Sequence, residues 1–181
     1  MDPRPFEAQE LRTVDDALYI AEDVTSNFFK FSPGQWKRHR YDVKTLPSLN
    51  QDEISKYAFA LLNKGSRLVS GFESKTKIRD FYFICLQDDH ILNALGRDKN
   101  LSLLPLLVYV LTHELVHIVR FCNFYQRFEL AGRGRDREEA IVHSLTHDIL
   151  NNLSLAQLDY VLESYRGHTV CDLTSCPSYS A

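Results

Sequence analysis

Apolar positions recur along this chain at helical spacing, with one interruption at strand spacing. Val14, Ala17, Leu18, Ala21, Val24 and Phe28 share one helical face behind a Thr13–Asp16 capping pattern. Ile54, Tyr57, Ala58, Leu61 and Leu62 form a second stripe behind Asn50 and Glu53, and Gly65 predicts its end. Ile78 to Leu86 is rich in aromatic and β-branched residues and predicts a strand, with Ser66 to Phe72 as its candidate partner. Asp88 to Gly96 reads as a short helix. A long apolar segment opens at Leu101 or Ser102, tolerates Pro105 in its first turn, and predicts a helix to about Tyr125. After the Gly/Arg-rich connector Glu129 to Glu138, Asp136 can cap a helix running to about Asn151. Ser154 and Gln157 can cap another, which carries Leu155, Leu158, Val161, Leu162 and Tyr165. Residues 1–12 read as a polar, mobile lead-in, Ser32 to Asn50 largely as loop, and 167–181 as an irregular tail. The pattern predicts a single, helix-dominated α+β domain with a small sheet.

One segment breaks the rule that apolar stripes stay apolar. Tyr109 to Phe121, YVLTHELVHIVRF, places His113, Glu114 and His117 inside a core-like helix. Burying such groups unpartnered costs about 2–7 kcal/mol each. The run is an H-E-x-x-H motif. On a helix, side chains at i and i+4 stand about 5–6 Å apart, so both imidazoles can reach one zinc ion. Glu114 falls on an adjacent face, where it can hold and deprotonate a metal-activated water as a general base. The plainer alternative is a pair of satisfied core histidines beside a surface glutamate.

The segment resembles the active-site helix of the zincin superfamily of zinc metallopeptidases. That resemblance implies a zincin-like fold, with a small sheet, this active-site helix and a later ligand helix. It also implies one bound zinc ion and hydrolysis of peptide bonds. Zincins take a third protein ligand. The metzincin form places it in H-E-x-x-H-x-x-G-x-x-H, but this chain has Arg120 where the Gly belongs and Asn123 where the His belongs. The gluzincin form takes a Glu from a later helix, and Arg137 to His143, REEAIVH, offers Glu138 and Glu139. The run Glu139-Ala140-Ile141 is similar to the ligand helix of the thermolysin family. That family has an Asp four residues on, where this chain has His143. Helical spacing favours Glu139, which shares a stripe with His143 and His147, whereas Glu138 shares the apolar face with Val142, Leu145 and Ile149. Glu138 and His143 stand as alternative ligands or supporting groups, and Glu139 could instead close a capping box with Asp136. Tyr165 and His168 are candidate oxyanion donors by chain order alone, and a core tyrosine and a tail histidine is the plainer reading. In zincins a sheet edge also borders the cleft and binds extended substrate.

Composition trims the alternatives. The chain has 181 residues, 44% of them hydrophobic and 25% charged, enough for a sizeable core. A net charge of -3 leaves no footprint for nucleic acid, although a local basic patch remains open; Arg133, Arg135 and Arg137 read as a solvated linker. The expected partner is a peptide or protein substrate. The N-terminus lacks the apolar core of a secretory signal, and the longest apolar run, Leu101 to Val110, is short for a membrane span. Cys85, Cys122, Cys171 and Cys176 are scattered, as in a reduced, cytoplasmic protein. His39 and His90 fall outside these patterns and receive no role. Two other function classes remain: a zinc-binding regulatory or interaction module without turnover, and a latent enzyme whose Cys171 or Cys176 caps the metal.

Overall fold

The computed structural model describes residues 3–69, 77–123 and 133–166. In chain order these form α1 (Ala8–Phe29), α2 (Pro33–Arg38), β1 (Tyr41–Lys44), β2 (Ala60–Val69), β3 (Lys77–Leu86), α3 (Asp88–Arg97), α4 (Leu103–Cys122), α5 (Arg133–Leu150) and α6 (Leu158–Ser164). The fold is helix-dominated α+β, with a three-stranded sheet in the order β1-β3-β2. β1 runs parallel to β3, with Tyr41 opposite Tyr82, and β2 runs antiparallel to it, with Ala60 opposite Leu86.

Helix α4 is the centre of the molecule. It is apolar all round, and such a helix must be buried all round. Every residue from Pro105 to Val119 is buried. α1 makes the broadest contact with it, and α5, α6, α3 and the two long strands complete the enclosure. By length and mean hydropathy α4 could cross a membrane, but 83% of its apolar window is buried inside the fold, as in a core helix.

The junction between sheet and helices is pinned by Gln87 and Asp88, both buried. Gln87 donates to the carbonyls of Glu53 and Cys85 and accepts from the amide of Ser55. Asp88 accepts from the amides of Phe6 and Leu46. Burial raises the Asp88 carboxyl, and these backbone donors oppose the rise.

Several sequence expectations need correction. The lead-in is shorter than 1–12: α1 begins at Ala8, closed by a Glu7–Glu10 capping box, and Phe6 is buried. Thr13 lies inside the helix and donates to the Gln9 carbonyl. The helix expected from Asn50 to Gly65 does not form. Its capping box is present but closes only a 3-10 turn, Gln51–Glu53, and Ala60, Leu61 and Leu62 instead belong to β2. Tyr57, placed on the expected apolar stripe, is 78% exposed. The expected Ser32–Asn50 loop holds α2 and β1; β1 exists because it pairs with β3. The pairing of residues after Ser66 with the Ile78–Leu86 strand is borne out as far as Val69, and α3, α4 and α5 stand close to where expected, α5 opening at Arg133 rather than after Asp136. α6 starts at Leu158, with Gln157 as its cap residue, so Ser154 and Leu155 precede it. Phe72, Tyr125, residues 129–132 of the connector, and the tail with His168, Cys171 and Cys176 lie outside the described residues, whereas Arg133, Arg135 and Arg137 belong to α5 rather than to a linker.

Candidate metal centre

Helix α4 presents a stripe four residues apart: Tyr109, His113, His117 and Phe121. α5 presents Glu139, His143 and His147 at the same interval. The helices lie side by side in opposite directions, as their side-chain partners show. Tyr109 meets His143, its hydroxyl 3.0 Å from Nδ1. His113 and His117 meet Glu139, and Arg120 meets Glu138.

The middle rung is the candidate centre. Glu139 Oε2 lies 3.2 Å from His113 Nε2, and Glu139 Oε1 lies 3.3 Å from His117 Nε2. One potential ligand atom from each residue lies within 4.8 Å of the other two. Bonds of about 2.0–2.1 Å around a tetrahedral zinc would put neighbouring ligand atoms about 3.3 Å apart. Each nitrogen–oxygen spacing matches that figure, one to each carboxylate oxygen, and also matches a hydrogen bond. His113, His117 and Glu139 are all buried, with relative exposures of 3%, 1% and 1%.

Electrostatics reinforce the pairing. Burial alone would raise the Glu139 carboxyl, but the imidazoles of His117 and His113 hold it well below the usual carboxylate range. Burial pulls His113 down against the attraction of Glu139, which keeps that ring neutral. His117 is also opposed by burial, yet Glu139 and then Glu114 leave it net raised. The His117 ring is held in place by stacking on Phe121 at 5.7 Å, and Phe121 stacks on Tyr82 of β3 at 6.5 Å.

Glu114 stands apart from this network. It is completely buried, and neither carboxylate oxygen has a hydrogen-bond partner among the described residues. Burial pushes it up to about 8, while His117 lowers it and Glu139 raises it. A buried carboxyl with a strongly shifted pKa beside a cluster of possible ligands marks a candidate functional group. It also acts on Cys85 of β3, whose thiol is pushed up to about 12, mainly by burial and then by Glu53.

Of the third-ligand candidates, the structure brings Glu139 to the imidazoles. Glu138 faces elsewhere: Arg120 Nε and an Nη donate to its two oxygens at 2.6 and 2.8 Å. That pair is nearly buried, with side-chain exposures of 13% and 3%, and it sets the register of α5 against α4 one residue from Glu139. His143 is engaged with Tyr109 and does not join the three-residue cluster. Tyr165 stacks on Tyr109 at 5.8 Å. Sequence reasoning missed Arg120, Tyr109 and Phe121. The signal was available for each: Arg120 is the lone charge late in an apolar helix, and the two aromatics extend the histidine stripe by one turn each way.

Cys85 and Cys122 are buried free thiols, as expected. Compared with protein-family models, curated proteins and solved structures, the chain finds no match in any of the three.

Proposed function

We propose that the protein is a zinc-dependent metallopeptidase of the zincin type, in which His113, His117 and Glu139 hold one zinc ion and Glu114 is the general base. One observation carries this reading: a separate helix delivers the Glu139 carboxylate to within 3.2 and 3.3 Å of both imidazoles of the H-E-x-x-H motif. Two nitrogens and a carboxylate oxygen suit zinc, and three protein ligands leave a position for chemistry. A bound zinc would act as a Lewis acid, bringing the pKa of a water from about 15.7 toward about 7 and polarising a peptide carbonyl. His113 and His117 would hold the ion through imidazole nitrogens, and stacking on Phe121 fixes the second ring. Glu114, held up by burial against the weaker pull of His117, would ionise more readily beside a cation. It then takes the water's proton and hands it to the departing amine. In this reading the partner is a peptide or protein substrate, and the protein acts in the cytoplasm.

The burial of the cluster favours a second reading. With Glu114 at 0% exposure and the ligands at 1–3%, a zinc here would be enclosed, as in structural sites. The protein would then be a zinc-binding regulatory or interaction module. Glu114→Gln separates the two, assayed on a mixed peptide library with zinc content measured in parallel. The peptidase reading expects one retained zinc and a loss of cleavage on the order of 10²–10⁴-fold. Cleavage by the variant at the wild-type rate would remove Glu114 from the mechanism. A fully zinc-loaded wild type that cleaves nothing would leave the module reading.

A further inference from the structure

Helix α3 carries His90, Asn93 and Arg97 at positions i, i+3 and i+7, one face of the helix. That face and the segment leading into β2 enclose a surface cavity of about 670 Å³, lined by Lys56, Tyr57, Phe59, His90, Asn93, Arg97 and Tyr165. Its volume falls within the roughly 300–1,000 Å³ usual for small-ligand sites.

The charge of this cavity sets it apart. Its described lining residues bring two permanent cations, Lys56 and Arg97, and no carboxylate. The cavity between α1 and α2 mixes Glu22 and Asp23 with Lys30 and Lys37, and a third carries Asp15, Glu22 and Asp42. Neither Lys56 nor Arg97 has an ion-pair partner among the described residues, and the nearest acid to His90, Asp89, stands 3.8 Å from its Nε2. His90 is set by the fold: its Nδ1 lies 3.0 Å from the Ala58 carbonyl, so Nδ1 must be the donor.

The rest of the lining is aromatic and built. Tyr165 meets Phe59 edge to face at 5.7 Å and also stacks on Tyr109 of the α4 stripe. Tyr57 adds a large ring that is 78% exposed. Cations without ion-pair partners among the described residues, beside aromatic rings, match a ligand with an anionic group and a flat apolar body. Arg97 can grip a carboxylate through two parallel N–H bonds, while the rings cover the apolar part.

We propose that this cavity binds a carboxylate carried on an aromatic group, of the kind a peptide presents at a C-terminal phenylalanine or tyrosine. The proposal stands apart from the zinc chemistry, because none of the lining residues is a candidate metal ligand or Glu114.

Calorimetric titration of the full chain tests it with N-acetyl-phenylalanine, N-acetyl-phenylalanine amide, acetate and inorganic phosphate as probes. The acid should bind saturably, at least about tenfold tighter than its amide, because charge-assisted hydrogen bonds contribute about 1.5–3 kcal/mol. Acetate and phosphate should bind more weakly than the acid. Arg97→Gln and Lys56→Gln, both surface changes, should each weaken the acid by about three- to tenfold, with circular dichroism and zinc content unchanged. Tyr57→Ala should weaken the acid but not acetate. Equal binding of acid and amide, or no saturable binding of the acid, would overturn the proposal. Phosphate binding as tightly as the acid would overturn the aromatic half of it. Free phenylalanine and a peptide ending in phenylalanine, run as further arms, distinguish the two sources of the group.

Discussion

Helices α4 and α5 each carry two histidines four residues apart, and only one pair belongs to the candidate metal cluster. The rings of His113 and His117 lie 5.0 Å apart, and those of His143 and His147 lie 4.7 Å apart. Spacing therefore does not distinguish them. What differs is the third group and the surroundings. The α4 pair is buried and bridged by Glu139 from across the helix interface. The α5 pair is half-buried, with His143 held by the Tyr109 hydroxyl and both rings edge-on to Tyr109. A neighbouring carboxylate raises His117, whereas burial and then His143 pull His147 down to about 4. Two imidazoles on a helix are common; a carboxylate brought to both from another helix makes a candidate ligand set.

The comparison can be broken most directly at the α4 pair. His117→Ala and Glu139→Ala should each bring bound zinc from one ion to none by atomic absorption. The thermal stabilisation by excess zinc, about 4 kcal/mol at a thousandfold excess over the dissociation constant, should vanish with it. Full zinc loading of either variant would mean that the ligands lie elsewhere. The register between the helices is the next target. Arg120→Ala leaves Glu138 buried without its counter-charge and should cost about 3–5 kcal/mol in denaturant unfolding. It should also weaken zinc by about 10–100-fold, as loss of supporting groups does, and Arg120→Lys should recover part of both. An unchanged zinc affinity would show that α5 holds its register without that pair.

The α5 pair sharpens the contrast by failing to matter. His143→Ala should keep one zinc and lose the bond to Tyr109, a cost of about 1 kcal/mol. Two zinc ions in the wild type, falling to one in this variant, would erase the distinction between the pairs. The smallest effect is a pH slope. His147 has a folded value of about 4 against an ordinary 6.5, so the unfolded chain binds the extra proton first. Its contribution to stability is present above pH 6.5 and is lost as the pH falls toward 4. His147→Asn should flatten the stability profile in that window, measured by urea unfolding at several pH values. An unaltered slope would mean that His147 is solvated enough to titrate normally.

The candidate cluster was legible because it depends on local periodicity. H-E-x-x-H places two groups on one face by helix geometry alone, and the Glu139–His143–His147 stripe separated Glu139 from Glu138 for the same reason. What the sequence hid was non-local. Ala60 to Leu62 is a short apolar run that suits a buried helix or a buried strand, and only pairing with β3 decides for the strand. The Asn50–Glu53 cap misled because a real cap can close a single turn as well as a helix. β1 forms through β3, forty residues on, where Tyr41 meets Tyr82. The start of α1 escaped notice because its box uses Glu7 rather than a serine or threonine, and Phe6 is fixed by Asp88, far along the chain.

Helix α1 contributes no side chain to the candidate centre, yet it is the broadest partner of α4. The two helices are separated in sequence by the whole sheet and α3, so their docking closes a long loop. Long-range closure must be reached before its contacts reward it, which makes such steps slow. α4 and α5, by contrast, are nearly consecutive and can meet early. That order predicts a division in time: the local pair brings the imidazoles and carboxylate of the candidate cluster together first, and the N-terminal helix docks on α4 later. The interval between zinc uptake and full protection of α4 amides from hydrogen exchange during refolding measures that division.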